Sequence, residues 1–296
     1  MRSLFIDESG ILRSGWRAAA FLVIFLFVSA LMILGALAVI AQFPFGEGKG
    51  GFLPLIIPFA LSAAIAIILG WLFGKKIDGV PFSALGCSFE KGWLKNLAFG
   101  SAVGAVAFGS AVLIAIMSGG MSLALNRASA TSAIASTLAT TLVIFAVGAA
   151  SEETLFRGYL LQTFGRSNVI WIGVLFTSVL FALAHNNNPD ATWFSWINTF
   201  IAGLWFAAAY LKTRDLWFPF GVHLAWNWLQ GPVFGINVSG ITEFSPDPIL
   251  RATDAGPAWL TGGSYGLEGG LVCTIALLIS IGTIYFLPQL KSEPPA

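Results

Sequence analysis

The pattern in this sequence most able to do chemistry is a pair of adjacent glutamates, Glu152 and Glu153, that follows an apolar stretch. Arg157 stands four residues after Glu153, so on a helix these two side chains share a face and can pair. Glu152 points about 100° away around the same helix and is left out of that pair. The spacing therefore predicts one carboxylate bound to an arginine and a second one able to take a proton from water.

Both histidines of the chain also lie in or beside apolar segments. His185 ends one such segment and is followed by three asparagines at 186–188, whereas His223 and Asn227 are four residues apart and face the same way on a helix. Each element alone has a simple structural explanation, because span ends often carry interfacial residues and polar pairs often join helices by a hydrogen bond. Irregular polar backbone near a membrane is tolerated mainly beside a wet cavity, which favours a site after His185.

Taken together, these residue types suit hydrolysis. A carboxylate assisted by a histidine can activate water, and a histidine and an asparagine can donate hydrogen bonds to a developing oxyanion. No nucleophile stands out, since Ser151 and Ser195 lack a recognisable signature and Cys273 lies in a distant segment. Two other chemistries stay open: zinc held by one of the glutamates and both histidines, and proton-coupled transport.

The composition indicates where this chemistry takes place. Of the 296 residues, 57% are hydrophobic and only 10% are charged, with a mean hydropathy of +0.84. A soluble domain carries about 25% charged residues, so this chain cannot cover a water-facing surface with charge. Ionisable groups inside a bilayer are costly and mark a functional site by default, although they can also pair only to hold helices together.

The apolar residues form blocks long enough to cross a membrane, for which about 20 residues are needed. We predict an all-α, polytopic membrane helix bundle with about eight transmembrane helices. The predicted spans are 16–41, 53–73, 94–118, 132–151, 168–185, 191–211, 216–231 and 268–288. Gly100 and Gly104 form a Gly-x-x-x-Gly pair, which predicts a close helix contact inside the chain.

The distribution of Lys and Arg predicts the orientation of these spans. Eight spans place twelve basic residues on one side and three on the other, which by the positive-inside rule makes the first side, with both termini, cytoplasmic. The twelve are Arg2, Arg13, Arg17, Lys75, Lys76, Lys91, Lys95, Arg157, Arg166, Lys212, Arg214 and Lys291, and the three are Lys49, Arg127 and Arg251. The net charge of +1 offers no basic surface for nucleic acid.

The predicted spans impose one condition on the site. Glu152 lies at the cytoplasmic end of the fourth span, whereas His185 lies at the far end of the fifth, about 26 Å away along the helix axis. The two side chains can meet only if the fourth helix continues to about Phe164 before it turns. The residues from Thr154 to Phe164 are compatible with a helix, so we expect this continuation.

In order and separation, the three elements resemble the signature of the CAAX-protease and bacteriocin-processing family, also called the Abi or Rce1-like family. The matched residues are Glu152, Glu153 and Arg157, then Phe181 and His185, then His223 and Asn227. The resemblance covers roughly residues 130–232, and the rest of the chain is supported by hydropathy alone. It divides the chain into N-terminal helices (1–130), a catalytic core (131–232), a polar loop (233–267) and a last helix with its tail (268–296).

The resemblance implies an intramembrane, metal-independent glutamic endopeptidase that needs no cofactor. Glu152 would be the general base, assisted by His185, while His223 and Asn227 would stabilise the oxyanion. Glu153, Arg157 and Phe181 would support the site.

The partners implied are membrane lipids and a peptide or lipidated (CAAX-type) protein substrate, at a site open to the cytoplasm or to the lipid. The implied location is the inner (plasma) membrane, with multiple passes. Some relatives confer immunity to bacteriocins or act as scaffolds without proteolysis, so those functions are the alternatives.

Overall fold

The computed structural model describes residues 2–6, 10–42 and 53–288, and within them the fold is all-helical apart from two short strands. Eight helices of this described part form the bundle. They are α1 (Ser14–Ile40), α2 (Leu53–Phe73), α3 (Trp93–Met117), α4 (Thr131–Arg166), α5 (Ile170–Ala184), α6 (Trp193–Thr213), α7 (Trp217–Trp228) and α8 (Leu271–Phe286). Seven of them coincide with a predicted span to within a few residues, whereas α4 begins where the fourth predicted span begins but ends 15 residues after it, at Arg166. Lys49 and Lys291, which entered the charge comparison, lie outside the described residues.

Five of the described helices are long and apolar enough to cross a membrane: α1, α2 with its extension to Asp78, α3, α4 and α6. The helices α5 and α8 are apolar but shorter, and α7 has 12 residues before it continues into a π-helical turn, Leu229–Val233. These helices establish a membrane-type bundle. That all eight cross the bilayer stays a prediction.

Helices α3 and α7 run parallel and touch backbone to backbone, because glycines line their contact. A Cβ at Gly100 would lie 2.1 Å from the carbonyl oxygen of Phe218, and one at Gly104 would lie 2.3 Å from that of Val222. Gly221 of α7 makes the reciprocal approach to Leu97. The predicted Gly-x-x-x-Gly contact inside the chain is therefore confirmed, and it sets the height of α7 against α3.

Helix α4 runs far beyond its first apolar stretch. It is α-helical over Thr131–Glu153, passes through a π-helical segment, Thr154–Leu160, and ends as an α-helix at Leu161–Arg166. The backbone of Gly158 departs from helical values (ψ −113°), so the helix bends there. This confirms the continuation that the meeting of Glu152 and His185 requires.

The bundle has two chemically different ends. At the one we call the basic end, where α1 begins and α4 finishes, Arg17 and Arg166 pair with Asp78. At the opposite end, the sheet end, the strands β1 (Met121–Leu125) and β2 (Leu250–Asp254) pair antiparallel, with Met121 opposite Asp254. Helices α3 and α7 run parallel from the basic end toward the sheet end, and α6 and α8 run parallel in the opposite direction.

The predicted polar loop 233–267 is more ordered than its composition indicates. It contains β2, a helical turn at Ala258–Thr261 and 3₁₀ turns around Tyr265, and it packs over the helices at the sheet end. Gly240 donates its N–H to the carbonyl of Tyr265 across this segment. We call residues 234–270 the roof.

The glycine contact predicts a specific pattern of stability. Gly104→Ala should lower the free energy of unfolding by about 1–3 kcal/mol, because the added methyl group meets backbone that cannot rotate away. Gly109→Ala is the matched control on the same helix, since a Cβ there meets nothing within 4 Å. Removing a helical glycine at such a site stabilises by up to about 1 kcal/mol. Thermal unfolding in detergent measures both, and equal melting temperatures would contradict the contact.

Candidate active site

The seven residues singled out in the sequence come together in one place near the middle of the bundle. A cavity of about 60 Å³ lies between α4, α5, α6, α7 and α8. Its walls include five of the seven, namely Glu152, Phe181, His185, His223 and Asn227. The remaining two, Glu153 and Arg157, lie directly behind this wall. The cavity has room for a few water molecules.

Glu153 is buried and accepts hydrogen bonds from two side chains, those of Arg157 and His223. Its Oε1 accepts from Nη1 of Arg157 at 3.2 Å and from Nδ1 of His223 at 3.0 Å. The side chain is 1% exposed. A carboxylate in this setting stays charged only while it is paired, so Glu153 is committed to holding Arg157 and His223 in place.

Arg157 is fully buried and is held through its two terminal nitrogens and its planar face. Its Nη2 donates to the carbonyl of Gly203 on α6 at 3.0 Å. Its guanidinium lies 4.8 Å from the ring centre of Phe181, 5.1 Å from that of Phe206 and 5.7 Å from that of Phe156. Aromatic faces attract a desolvated cation, so three helices contribute to keeping this charge beside Glu153.

Glu152 has a different environment from its neighbour. Its side chain is 23% exposed and faces the cavity, with Oε2 at 3.8 Å from Nε2 of His223. That oxygen is buried and has no hydrogen-bond partner among the described residues. The two adjacent carboxylates thus have different surroundings: Oε1 of Glu153 is paired with Arg157, as the spacing predicts, whereas Glu152 faces the cavity.

The hydrogen bonds of the two histidines determine which ring nitrogen faces the cavity. His185 directs Nδ1 at the carbonyl oxygen of Phe181, 2.8 Å away; because a carbonyl only accepts, Nδ1 carries the proton. His223 likewise gives its Nδ1–H to Glu153 and stacks on the ring of Phe206 at 4.5 Å. In both residues Nε2 is therefore the nitrogen left for chemistry.

Asn227 lies one helical turn beyond His223 on α7 and lines the same cavity. Its side-chain amide therefore lies on the face from which His223 reaches the cavity. An amide can donate and accept at once, so Asn227 can bind an oxygen that gains negative charge.

A third carboxylate, Glu268 of the roof, also lines the cavity and was not among the predicted site residues. Its oxygens accept from the backbone N–H of Ser239 at 2.6 Å, from the hydroxyl of Ser239 at 2.8 Å and from Nε1 of Trp226 at 3.2 Å. Burial raises its pKa. The sequence offered one signal for Glu268, namely an acidic residue at the start of the last apolar segment.

Two further wall residues were also missed. Asn198 on α6 donates to the backbone carbonyls of Glu268 and Gly270 at 2.8 and 2.9 Å, so it holds the roof to the bundle. Cys273, placed in a distant segment by its position in the sequence, lies in the cavity wall beside Glu268. Among the described residues, no group of three His, Cys, Asp or Glu side chains is arranged to hold a metal ion.

Residues 134–229, which contain all seven predicted residues, match the family described as type II CAAX prenyl endopeptidase, Rce1-like. This match supports a relationship to the Rce1-like family over about a third of the chain. Together with the apolar helices, it indicates a multi-pass integral membrane protein.

A curated relative is 32% identical over 142 residues, which are 45% of this chain and 63% of the relative. It is an uncharacterized 24.3 kDa protein of Escherichia coli, so the chain spans less than two thirds of the length of the relative it matches. No solved structure matches the chain at a significant level.

The different surroundings of Glu153 and Glu152 predict that disturbing them changes stability by very different amounts. Arg157→Met should lower the free energy of unfolding by about 3–5 kcal/mol, because it leaves Glu153 buried without its cation. Glu152→Gln should change it by less than about 0.5 kcal/mol, because this carboxylate faces the cavity and has no ion partner to lose within 3.5 Å. Thermal unfolding of both variants in detergent checks this, and a large loss in Glu152→Gln would assign Glu152 a structural role.

Proposed function

We propose that this protein is an intramembrane endopeptidase that cleaves peptide bonds by water activated on Glu152. The proposal rests on the different surroundings of the two adjacent glutamates. Glu153 is occupied by Arg157 and His223, while Glu152 faces the cavity. Two carboxylates with the same role would not need such different surroundings. A general base and a second carboxylate that positions its neighbours do need them.

The reaction follows from these positions. Glu152 takes a proton from water as the water oxygen bonds to the scissile carbonyl carbon, with Nε2 of His185 helping to orient that water. The carbonyl oxygen becomes an oxyanion, which accepts hydrogen bonds from Asn227 and from Nε2 of His223 in its doubly protonated form. The carbon–nitrogen bond then breaks, and Glu152 returns its proton to the leaving amine. The products are a carboxylic acid and a free amine.

The remaining residues act by holding these groups in place. Glu153 keeps the ring of His223 in one orientation, and Arg157 balances the charge of Glu153. Phe181 packs its ring against those of His185 and His223, with ring centres 4.8 and 6.2 Å apart. Such support is needed because an error of about 1 Å in position can reduce a rate about 100-fold.

Glu152→Gln should reduce cleavage by about 10²–10⁴-fold, the usual contribution of a general base, because glutamine cannot accept the proton. The assay uses detergent-purified protein and a library of quenched fluorescent peptides that includes a farnesylated CAAX peptide. Glu90→Gln is the control, since Glu90 lies in the loop before α3 at the basic end. Full cleavage by Glu152→Gln would remove Glu152 from the role of base. Protection against a bacteriocin without any cleavage by wild type would favour the immunity scaffold.

A chelator separates the glutamic mechanism from a zinc mechanism. We expect wild-type cleavage to be unchanged after treatment with 1,10-phenanthroline, because Glu152 activates water without a metal. Activity that disappears with the chelator and returns with added zinc would show that the glutamates and histidines bind a catalytic metal.

A further inference from the structure

Among the described residues, the catalytic cavity is lined by none that lies at the basic end of the bundle. On that side it is bounded by Arg157 and by buried apolar side chains of α4 and α7, including Leu160, Leu161 and Phe218, all of which are fully buried.

On the opposite side, the cavity meets the sheet end. His185 ends α5, a helix of 15 residues, so it lies about 22 Å from the basic end at 1.5 Å per residue. Ser239 and Glu268 of the roof line the same cavity. The polar groups of the site are therefore reached from the sheet end, through or under the roof.

The two ends carry opposite charge. Of the described Lys and Arg residues, ten lie at the basic end, two lie at the sheet end, and Arg157 lies between. The ten are Arg2, Arg13, Arg17, Lys75, Lys76, Lys91, Lys95, Arg166, Lys212 and Arg214, and the two are Arg127 and Arg251. Short loops rich in Lys and Arg stay in the cytoplasm, so this asymmetry makes the basic end the cytoplasmic one.

We propose that the site receives its substrate from the non-cytoplasmic side of the membrane, as a peptide segment exposed there. The proposal rests on the proposed peptidase function and replaces the expectation that the site opens to the cytoplasm. It follows from two independent observations: the cavity is reached from the sheet end, and the opposite end carries the cytoplasmic charge pattern. A substrate whose C-terminus is lipidated in the cytoplasm would approach the basic end of the bundle, which is opposite the end from which the cavity is reached.

The same end indicates the charge that the substrate carries. The described acidic residues of the sheet end outnumber its two arginines; they are Asp190, Glu243, Asp247, Asp254 and Glu268. A surface of one net charge raises the local concentration of segments of the opposite sign, and of these five residues Glu268 also lines the cavity. Basic or neutral peptide segments are therefore the chemical class that this entrance favours, and acidic segments are disfavoured.

Entry requires the roof to move, because a cavity of about 60 Å³ holds water but not a peptide. One contact, between Ser239 and Glu268, holds the roof over the cavity. Ser239, held with a left-handed backbone (φ 51°), donates twice to Glu268 at the cavity edge. Breaking these bonds frees the roof where Ser239 and Glu268 line the cavity together with Glu152 and His185.

The orientation is tested first by labelling. In the full-length chain with Cys87→Ser, a reporter cysteine is placed at Thr253→Cys on β2 or at Lys91→Cys before α3, both exposed positions. Cys273 is retained because it is buried. A membrane-impermeant maleimide should label Thr253→Cys in intact spheroplasts and Lys91→Cys only after permeabilisation. The reverse pattern would overturn the proposal.

The sidedness of cleavage is tested with sealed vesicles and an impermeant quenched peptide chosen from those cleaved in detergent. Right-side-out vesicles should cleave it at least tenfold faster than inside-out vesicles, after subtraction of the Glu152→Gln signal. A lysine-bearing peptide should be cleaved faster than its glutamate counterpart. Equal or greater cleavage by inside-out vesicles overturns the proposal. Absence of cleavage in detergent counts against the peptidase function itself, while the labelling result still decides the orientation.

Discussion

The arrangement of the site depends on one buried ion pair, that between Glu153 and Arg157. Neither charge could remain in the interior of this bundle without the other, because an unpaired buried ion costs several kcal/mol. Once formed, the pair determines the position of everything around it. Arg157 draws in the carbonyl of Gly203 and the rings of Phe181 and Phe206, and Glu153 fixes the ring of His223. Glu152 is the group that this arrangement leaves with a free oxygen facing the cavity.

The pair forms within α4, and two features of the chain bring the other site residues to it. Helix α4 continues through its π-helical segment to Arg166, so Glu152 and Glu153 lie deep in the bundle and level with the end of α5. Glycines let α7 lie directly against α3, which sets the height at which His223 meets Glu153. A shift of α7 by one residue would rotate His223 by about 100° away from its partner.

Much of this could be predicted from the sequence because it is encoded locally. Apolar blocks mark the helices, and the four-residue spacings place Arg157 beside Glu153 and Asn227 beside His223. The glycine spacing likewise predicts a contact, and the length of α5 required α4 to continue. The residues that escaped prediction are brought in by long loops. Glu268 and Cys273 reach the cavity 45 or more residues after His223, along a path through the roof that no periodic pattern describes. The strands β1 and β2 have five residues each and lie more than 120 residues apart, so neither could be recognised without its partner.

The roof gives the bundle a property that the paired glutamates alone would lack. Hydrolysis inside a membrane needs water beside Glu152 and a way in for the peptide, yet an open channel would admit water to every buried polar group. A small cavity provides room for the water, and a roof segment held by a few hydrogen bonds at Ser239 can provide the way in for the peptide. Glu268 contributes both to the cavity and to the closure of the roof, since it lines the same cavity as His185 and binds Ser239. A substrate that displaces Ser239 frees the carboxylate of Glu268, the third carboxylate at the site. Opening of the roof therefore changes the charge that the bound peptide meets.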